Sequence, residues 1–149
     1  NGAMMIADIA NSGPLPVLAE VMTFAAQRQQ LIAHNIANLE TPDFVPLDVS
    51  TSGFQKNLAE AVKRRREATG NETGQLDVKE TRELARDGSG SLVLRPRTSS
   101  GNVLFHDRNN RDLERMMQSL AENTTVFRAA SDLLRTHVGM LRNAMAERV

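Results

Sequence analysis

A chain of 149 residues can bury the core of one domain, but with five Phe, no Trp and no Tyr that core must come from Leu, Ile, Val, Met and Ala. Eighteen basic and eighteen acidic residues cancel, so no long-range field recruits nucleic acid or an anionic membrane. The absence of cysteine removes disulfide and thiol chemistry and leaves the redox compartment open.

Asn1, Gly2 and Ala3 ahead of Met4 and Met5 read as a cloning remnant, with the native start expected at Met4 or Met5. Residues 1–14 are therefore expected to be remnant plus a flexible N-terminus. Asn1 to Ile9 lacks a basic region followed by an apolar core, so no cleaved secretory signal is expected there. No stretch is apolar for long enough to cross a membrane, and no direct membrane insertion is expected.

The first element is an apolar helix assigned to residues 15–41. Leu18, Val21, Ala25, Ile32 and Leu39 recur at helical spacing, and Val17, Phe24, Leu31 and Ile36 widen the stripe. Pro42 is expected to stop it, because proline disfavours helical geometry in Thr41 and donates no backbone hydrogen bond. Asn35 and Asn38 fall near this end, where amide side chains bond neighbouring backbone; a helix terminus that needs polar caps explains them as residues.

Residues 42–109 form a polar central insertion. Phe44 to Val49 alternate as a short extended segment, which Pro46 confines to an edge or a loop. Asn57 to Glu67 suits a short helix. Within its reach Phe54 and Leu58 make an apolar i, i+4 pair, which simple helix packing already explains. Lys63 to Arg66 is the conspicuous charge run. It lacks the flanking basic clusters and stacking aromatics of a nucleic-acid site and reads as a solvated helix face or end. Thr69 to Gly74 and Gly88 to Ser91 are loops, and Ser91 to Arg95 with Asn102 to His106 suggest a small hairpin. Whether this region is compact or disordered in the isolated chain is left open by its polarity.

The last element, residues 110–149, carries the strongest periodicity. Leu113, Met116, Leu120, Asn123, Phe127, Ala130, Leu134, His137, Leu141 and Ala144 alternate spacings of three and four, as in a coiled coil. Asn109 or Asn110 can cap its start, and Asp112 and Glu114 suit the positive pole of its dipole. Running from about 111 to 147 it would be roughly 55 Å long, too long for a small globule to cover. Asn123 within the seam reads either as a register-setting polar group or as an exposed one. His137 has no ligating neighbour at i+3 or i+4 and is not a metal site. Gly139 permits close approach of another helix or a bend.

Ala33, Asn35, Ile36, Ala37, Asn38, Thr41 and Pro42 match a recognisable pattern. The run resembles the N-terminal signature of the flagellar rod and hook (axial) protein family, approximately A-x-N-I-A-N-x-x-T-P-G-Y. Asp43 and Phe44 stand in place of its usual glycine and tyrosine. Within that family the chain is most similar to proximal rod proteins of the basal body, on its short length, Ala26 to Gln29 ahead of the motif, and the stretch from Phe105 through Leu113 to Asn123.

The resemblance implies a structural subunit of the periplasmic rod. It implies export by the flagellar type III route without a cleaved signal peptide, and Phe54 with Leu58 has the form of that family's export element. The implied partners are other flagellar rod proteins and the inner-membrane ring and export apparatus, with self-association through the terminal helices. The expected assembly seam is Leu18, Val21, Ile32 and Leu39 on the first helix, with Leu113, Met116, Leu120, Asn123, Phe127, Leu134 and Leu141 on the last. The expected positive φ of the family glycine is one that Asp43 tolerates less readily.

No phosphate-binding glycine loop, zinc-binding H-E-x-x-H or nucleophile elbow is present, and His34, His106 and His137 are scattered. No catalysis, cofactor, metal or nucleic-acid partner is expected. The fold class expected is mainly α, with long N- and C-terminal helices forming a coiled-coil-like pair around a small irregular central region containing a β-hairpin. The alternatives are another axial rod protein, a cytoplasmic coiled-coil adaptor or export chaperone, and a nucleic-acid binder using Lys63 to Arg66.

Overall fold

A computed structural model describes residues 11–70, 73–98 and 110–147. The described chain is mainly helical. Helix α1 spans Leu15–Ala37, α2 Thr51–Thr69 and α3 Asn110–Ala146. Four short strands lie between the long helices: β1 Leu47–Asp48, β2 Leu84–Arg86, β3 Leu92–Leu94 and β4 Arg97–Thr98.

Helix α1 ends at Ala37, earlier than the proline alone predicts. Asn38 ends it by competing for its carbonyls: the Asn38 Nδ2 donates to His34 O at 2.9 Å, and the Asn38 backbone N–H is shared between His34 O and Asn35 O. Leu39 therefore lies in a turn beyond the helix and does not continue its stripe. Helix α2 begins before Asn57, because Ser50 caps it by accepting from Gly53 N at 2.9 Å. It ends at Gly70, whose φ of +67° lets its N–H reach Arg66 O. The expected short helix is thus a 19-residue one.

The hairpin forms with a different partner. β3 pairs antiparallel with the upstream β2, placing Leu84 opposite Leu94 and Arg86 opposite Leu92. The expected partner, Asn102 to His106, lies outside the described residues, as does the expected cap Asn109. The turn is closed by Asp87, whose carboxylate accepts from Ser89 N, Ser89 Oγ and Ser91 N at 2.6 to 2.9 Å. The extended segment before Val49 supplies β1, which pairs antiparallel with β4.

The apolar core lies between α1 and the central region. Phe24 of α1 stacks on Phe54 of α2 with ring centroids 4.0 Å apart, among Val49, Leu58, Leu84 and Leu92. The middle of the chain is therefore a packed body despite its polarity. Its apolar residues are few, but α1 supplies the missing wall.

Helix α3 packs along a second face of α1. His137 approaches Gly13, Asn123 meets Ala25 and Gln29, and Met116 shares a pocket wall with Ile32, so the two helices run antiparallel. α3 continues through Gly139 without a break, and nothing lies within 4 Å of where a side chain there would begin. No described helix is long and apolar enough to cross a membrane.

Candidate assembly surface

The two asparagines of the sequence motif do different jobs. Asn35 is buried on α1 and faces β1, where its Nδ2 donates to Leu47 O at 2.6 Å and its Oδ1 accepts from Leu47 N at 3.2 Å. A primary amide carries both a donor and an acceptor, so one side chain replaces a neighbouring strand's backbone. Asn38 makes the turn that follows. Besides its bond to His34 O, its backbone carbonyl accepts from Thr41 N at 2.9 Å, and its Oδ1 accepts from Thr41 Oγ1 at 3.4 Å. Phe44 N then donates to Thr41 O, and the Phe44 ring meets His34 edge-on at 5.7 Å.

Asp43, where the family pattern has glycine, has φ of +59° and is the non-glycine residue with positive φ among the described residues. The left-handed conformation a glycine adopts freely is thus imposed on an aspartate. Ala33, Ala37, Thr41 and Pro42 are exposed and Ile36 is half-buried. The motif therefore builds a helix stop, a tight turn and a clasp onto β1, with its small residues facing outward.

Two more polar side chains extend the same logic along α1. Arg28 forms a two-point ion pair with Asp48, at 3.0 Å from Nε and 2.9 Å from Nη2. Gln27 grips the edge of β3, its Nε2 donating to Leu92 O at 2.6 Å and its Oε1 accepting from Leu94 N at 2.9 Å. Arg86 of β2 reaches back to Glu20 at 2.7 Å. Sequence periodicity missed these grips because polar residues on a helix read as solvent-facing; a signal was present in Gln27, Arg28 and Asn35 lying on the side of Phe24.

The candidate seam residues are distributed unevenly. Ile32 is buried, Leu18 half-buried, and Val21 packs against the core cluster. On α3, Asn123 is buried and Met116, Leu120, Phe127, Leu134 and Leu141 are half-buried, while Leu113 is exposed. Asn123 is not a solvent-exposed interruption. Its Nδ2 donates to Ala25 O at 2.8 Å and to Gln29 Oε1 at 2.9 Å, fixing α3 against α1 within one chain.

Beyond the predicted seam, α3 carries a second apolar stripe. Val126, Leu133 and Met140 are spaced by seven and are 47%, 59% and 60% exposed. Leu113, Met117 and Met145 of the same helix are also exposed. A seven-residue repeat keeps side chains on one face of a helix, so Val126, Leu133 and Met140 line one exposed face of α3.

Phe54 and Leu58 are both in the core, so in the folded chain they pack and are not displayed. The charge run is not a uniform basic face. Arg65 is buried and donates to Gly13 O at 3.0 Å and Asn11 O at 2.6 Å, and Arg64 donates to Asp77 O. Lys63 pairs only loosely, at 3.8 Å, with Glu67. No group of acidic, histidine or cysteine side chains that could hold a metal ion occurs among the described residues.

No protein-family model matches the chain, and no solved structure matches it. Among curated proteins it is 27% identical over 135 residues to the flagellar basal body rod protein FlgB of Bacillus subtilis (strain 168). That similarity spans 90% of this chain and 94% of the relative, so it includes the central region that carries no motif. The motif at the end of α1 and the similarity along the chain agree: this protein resembles the flagellar basal body rod protein FlgB.

Proposed function

We propose that this chain is a structural, non-catalytic subunit of the proximal rod of the bacterial flagellar basal body. It assembles through its terminal helices into a helical tube that transmits torque. The single observation that carries the reading is similarity to a rod protein along 90% of the chain. The surface of α3 supports it physically. A helix that exposes Val126, Leu133 and Met140 in a monomer has apolar area to bury against neighbours. Repetition of one heterologous contact along an open helix produces a tube from identical parts. The partners in this reading are further copies, other rod proteins, and the inner-membrane ring and export apparatus. The place of action is the periplasm, reached by the flagellar type III route with Phe54 and Leu58 presented while the chain is unfolded.

The test is deletion of the gene in its own host, with basal bodies imaged by electron microscopy. Complementation compares the full chain with the double variant Leu133→Asp, Met140→Asp. The expected result is an inner-membrane ring without a rod, restored by the full chain and not by the variant, although the variant is folded and exported. Normal rods and filaments in the deletion strain would overturn the reading and favour a cytoplasmic adaptor.

A further inference from the structure

Helix α3 has three lengthwise faces, and among the described residues one of them is used within the chain. Asn123, Ala130 and His137, spaced by seven, turn toward α1: Asn123 bonds Ala25 O, Ala130 is buried and His137 lies against Gly13. This pairing is the most extensive contact between described elements, so α3 is held along its length. The other two faces differ in chemistry. Val126, Leu133 and Met140 form one exposed row. Arg128, Arg135 and Arg142 form a second, and all three are exposed. Each arginine follows its apolar residue by two positions, about 200° around a helix, so the two rows lie on opposite flanks of α3.

The charges sort by flank as well. Between Glu122 and Glu147 the chain has three arginines, and all of them belong to the basic row. Glu122 is four residues before Val126 and Glu147 is seven after Met140, which sets an exposed carboxylate at each end of the apolar row. Two apolar rows brought face to face would crowd these carboxylates, and two basic rows would oppose guanidinium to guanidinium. Neither row suits itself, and each suits the other. An arginine can lay its methylene stem on apolar surface while its charged head reaches past it. The pair that Arg135 makes with Asp132, at 3.4 Å and exposed on both sides, competes little with such a contact.

We propose that the basic row of α3 in one copy docks on the acid-ended apolar row of α3 in a second copy. The stems of Arg128, Arg135 and Arg142 cover Val126, Leu133 and Met140, and the guanidinium groups serve the carboxylates of Glu122 and Glu147. Because the two rows are on opposite flanks, each copy engages one neighbour with each, and the contact propagates in one direction without closing on itself. One helix face is small beside the area that a stable pair buries, so the contact gains strength by repetition. The inference rests on the rod reading for its occupant, a second copy of this chain.

Sedimentation velocity on the full chain and two double variants, over a concentration series up to the solubility limit, tests it. Leu133→Asp, Met140→Asp spoils the apolar row, and Arg135→Glu, Arg142→Glu spoils the basic row. The full chain is expected to form a ladder of growing species that shortens as salt is added. Each variant alone should associate at least about tenfold more weakly. An equimolar mixture of the two should form dimers and stop there, since one intact row remains on each partner; that recovery also shows both variants to be folded. Leu133→Ser mixed with Arg135→Gln should associate in the same order with smaller losses. A full chain that stays monomeric would overturn the proposal, as would monomers in both mixtures. An arginine variant that associates like the full chain would show that the apolar rows meet each other, and would overturn it too. The basal-body images are a separate readout. A missing rod in the deletion strain, with association indifferent to the arginine changes, sinks this contact and spares the rod reading; normal rods, with dimers in the mixture, do the reverse.

Discussion

Asn35 holds Leu47 by both of its backbone groups, donating to the carbonyl at 2.6 Å and accepting from the N–H at 3.2 Å. The clasp joins the end of α1 to β1 across the turn built by Asn38, Thr41 and Asp43. Replacing Asn35 by Ala leaves a donor and an acceptor on Leu47 without their partner, at a cost of about 1–3 kcal/mol. Urea denaturation of Asn35→Ala against the parent chain measures this, and a change within error would mean the clasp is dispensable.

Asp43 gives a prediction of opposite sign. Its φ of +59° is costly for most side chains and free for glycine. Asp43→Gly should stabilise the chain by up to about 1 kcal/mol, the gain in backbone ease being partly offset by the greater freedom of the unfolded chain. Asp43→Val should lose about 1–2 kcal/mol, since a β-branched residue is a poor occupant of this region. Thermal melts that rank the three chains Gly, Asp, Val from most to least stable would bear this out.

The charge run divides by burial, not by sequence. Arg65→Ala removes charged hydrogen bonds to Gly13 O and Asn11 O and should cost about 1.5–3 kcal/mol. Lys63→Ala removes an exposed, loose pair with Glu67 and should change stability by less than about 0.5 kcal/mol. Chemical denaturation of the two variants side by side distinguishes a docking arginine from a solvated lysine.

Asp87 should titrate abnormally. The Ser89 hydroxyl first, then the Ser91 N–H, stabilise its carboxylate and hold it below the usual value of 3.8. Because the folded value is the lower one, its contribution to stability is present above 3.8 and is lost as pH falls through the folded value. Carbon-detected NMR should place the Asp87 carboxyl midpoint below 3.8, and Ser89→Ala should move it back up toward that value.

Much of this molecule was determined locally and was therefore legible in the residues. The heptad spacing from Leu113 to Leu141 specifies a long helix whatever surrounds it, and α3 indeed runs from Asn110 to Ala146. Ser50, Gly70 and the Asp87 turn act over two to four residues, through bonds that local chemistry sets, although residue pattern placed the start of α2 later, at Asn57. The motif from Ala33 to Pro42 likewise carries its own helix stop. Even the awkwardness of Asp43 is visible from the residue it replaces.

What the tertiary structure alone decided is which faces meet. Periodicity shows that α1 has an apolar stripe but not that Gln27, Arg28 and Asn35, on the side of Phe24, grip strands 12 to 67 residues away. The hairpin partner of β3 was equally invisible, because pairing with Leu84 to Arg86 depends on the turn at Asp87 and on the core that receives Leu84 and Leu92. Asn123 reads in sequence as either a register-setting or an exposed polar group, and Ala25 and Gln29 opposite it decide for the first. Local sequence fixes dihedral preferences and spacing over a few residues. Long-range partners depend on which buried polar groups satisfy one another once the chain has closed, and no single stretch of sequence contains that information.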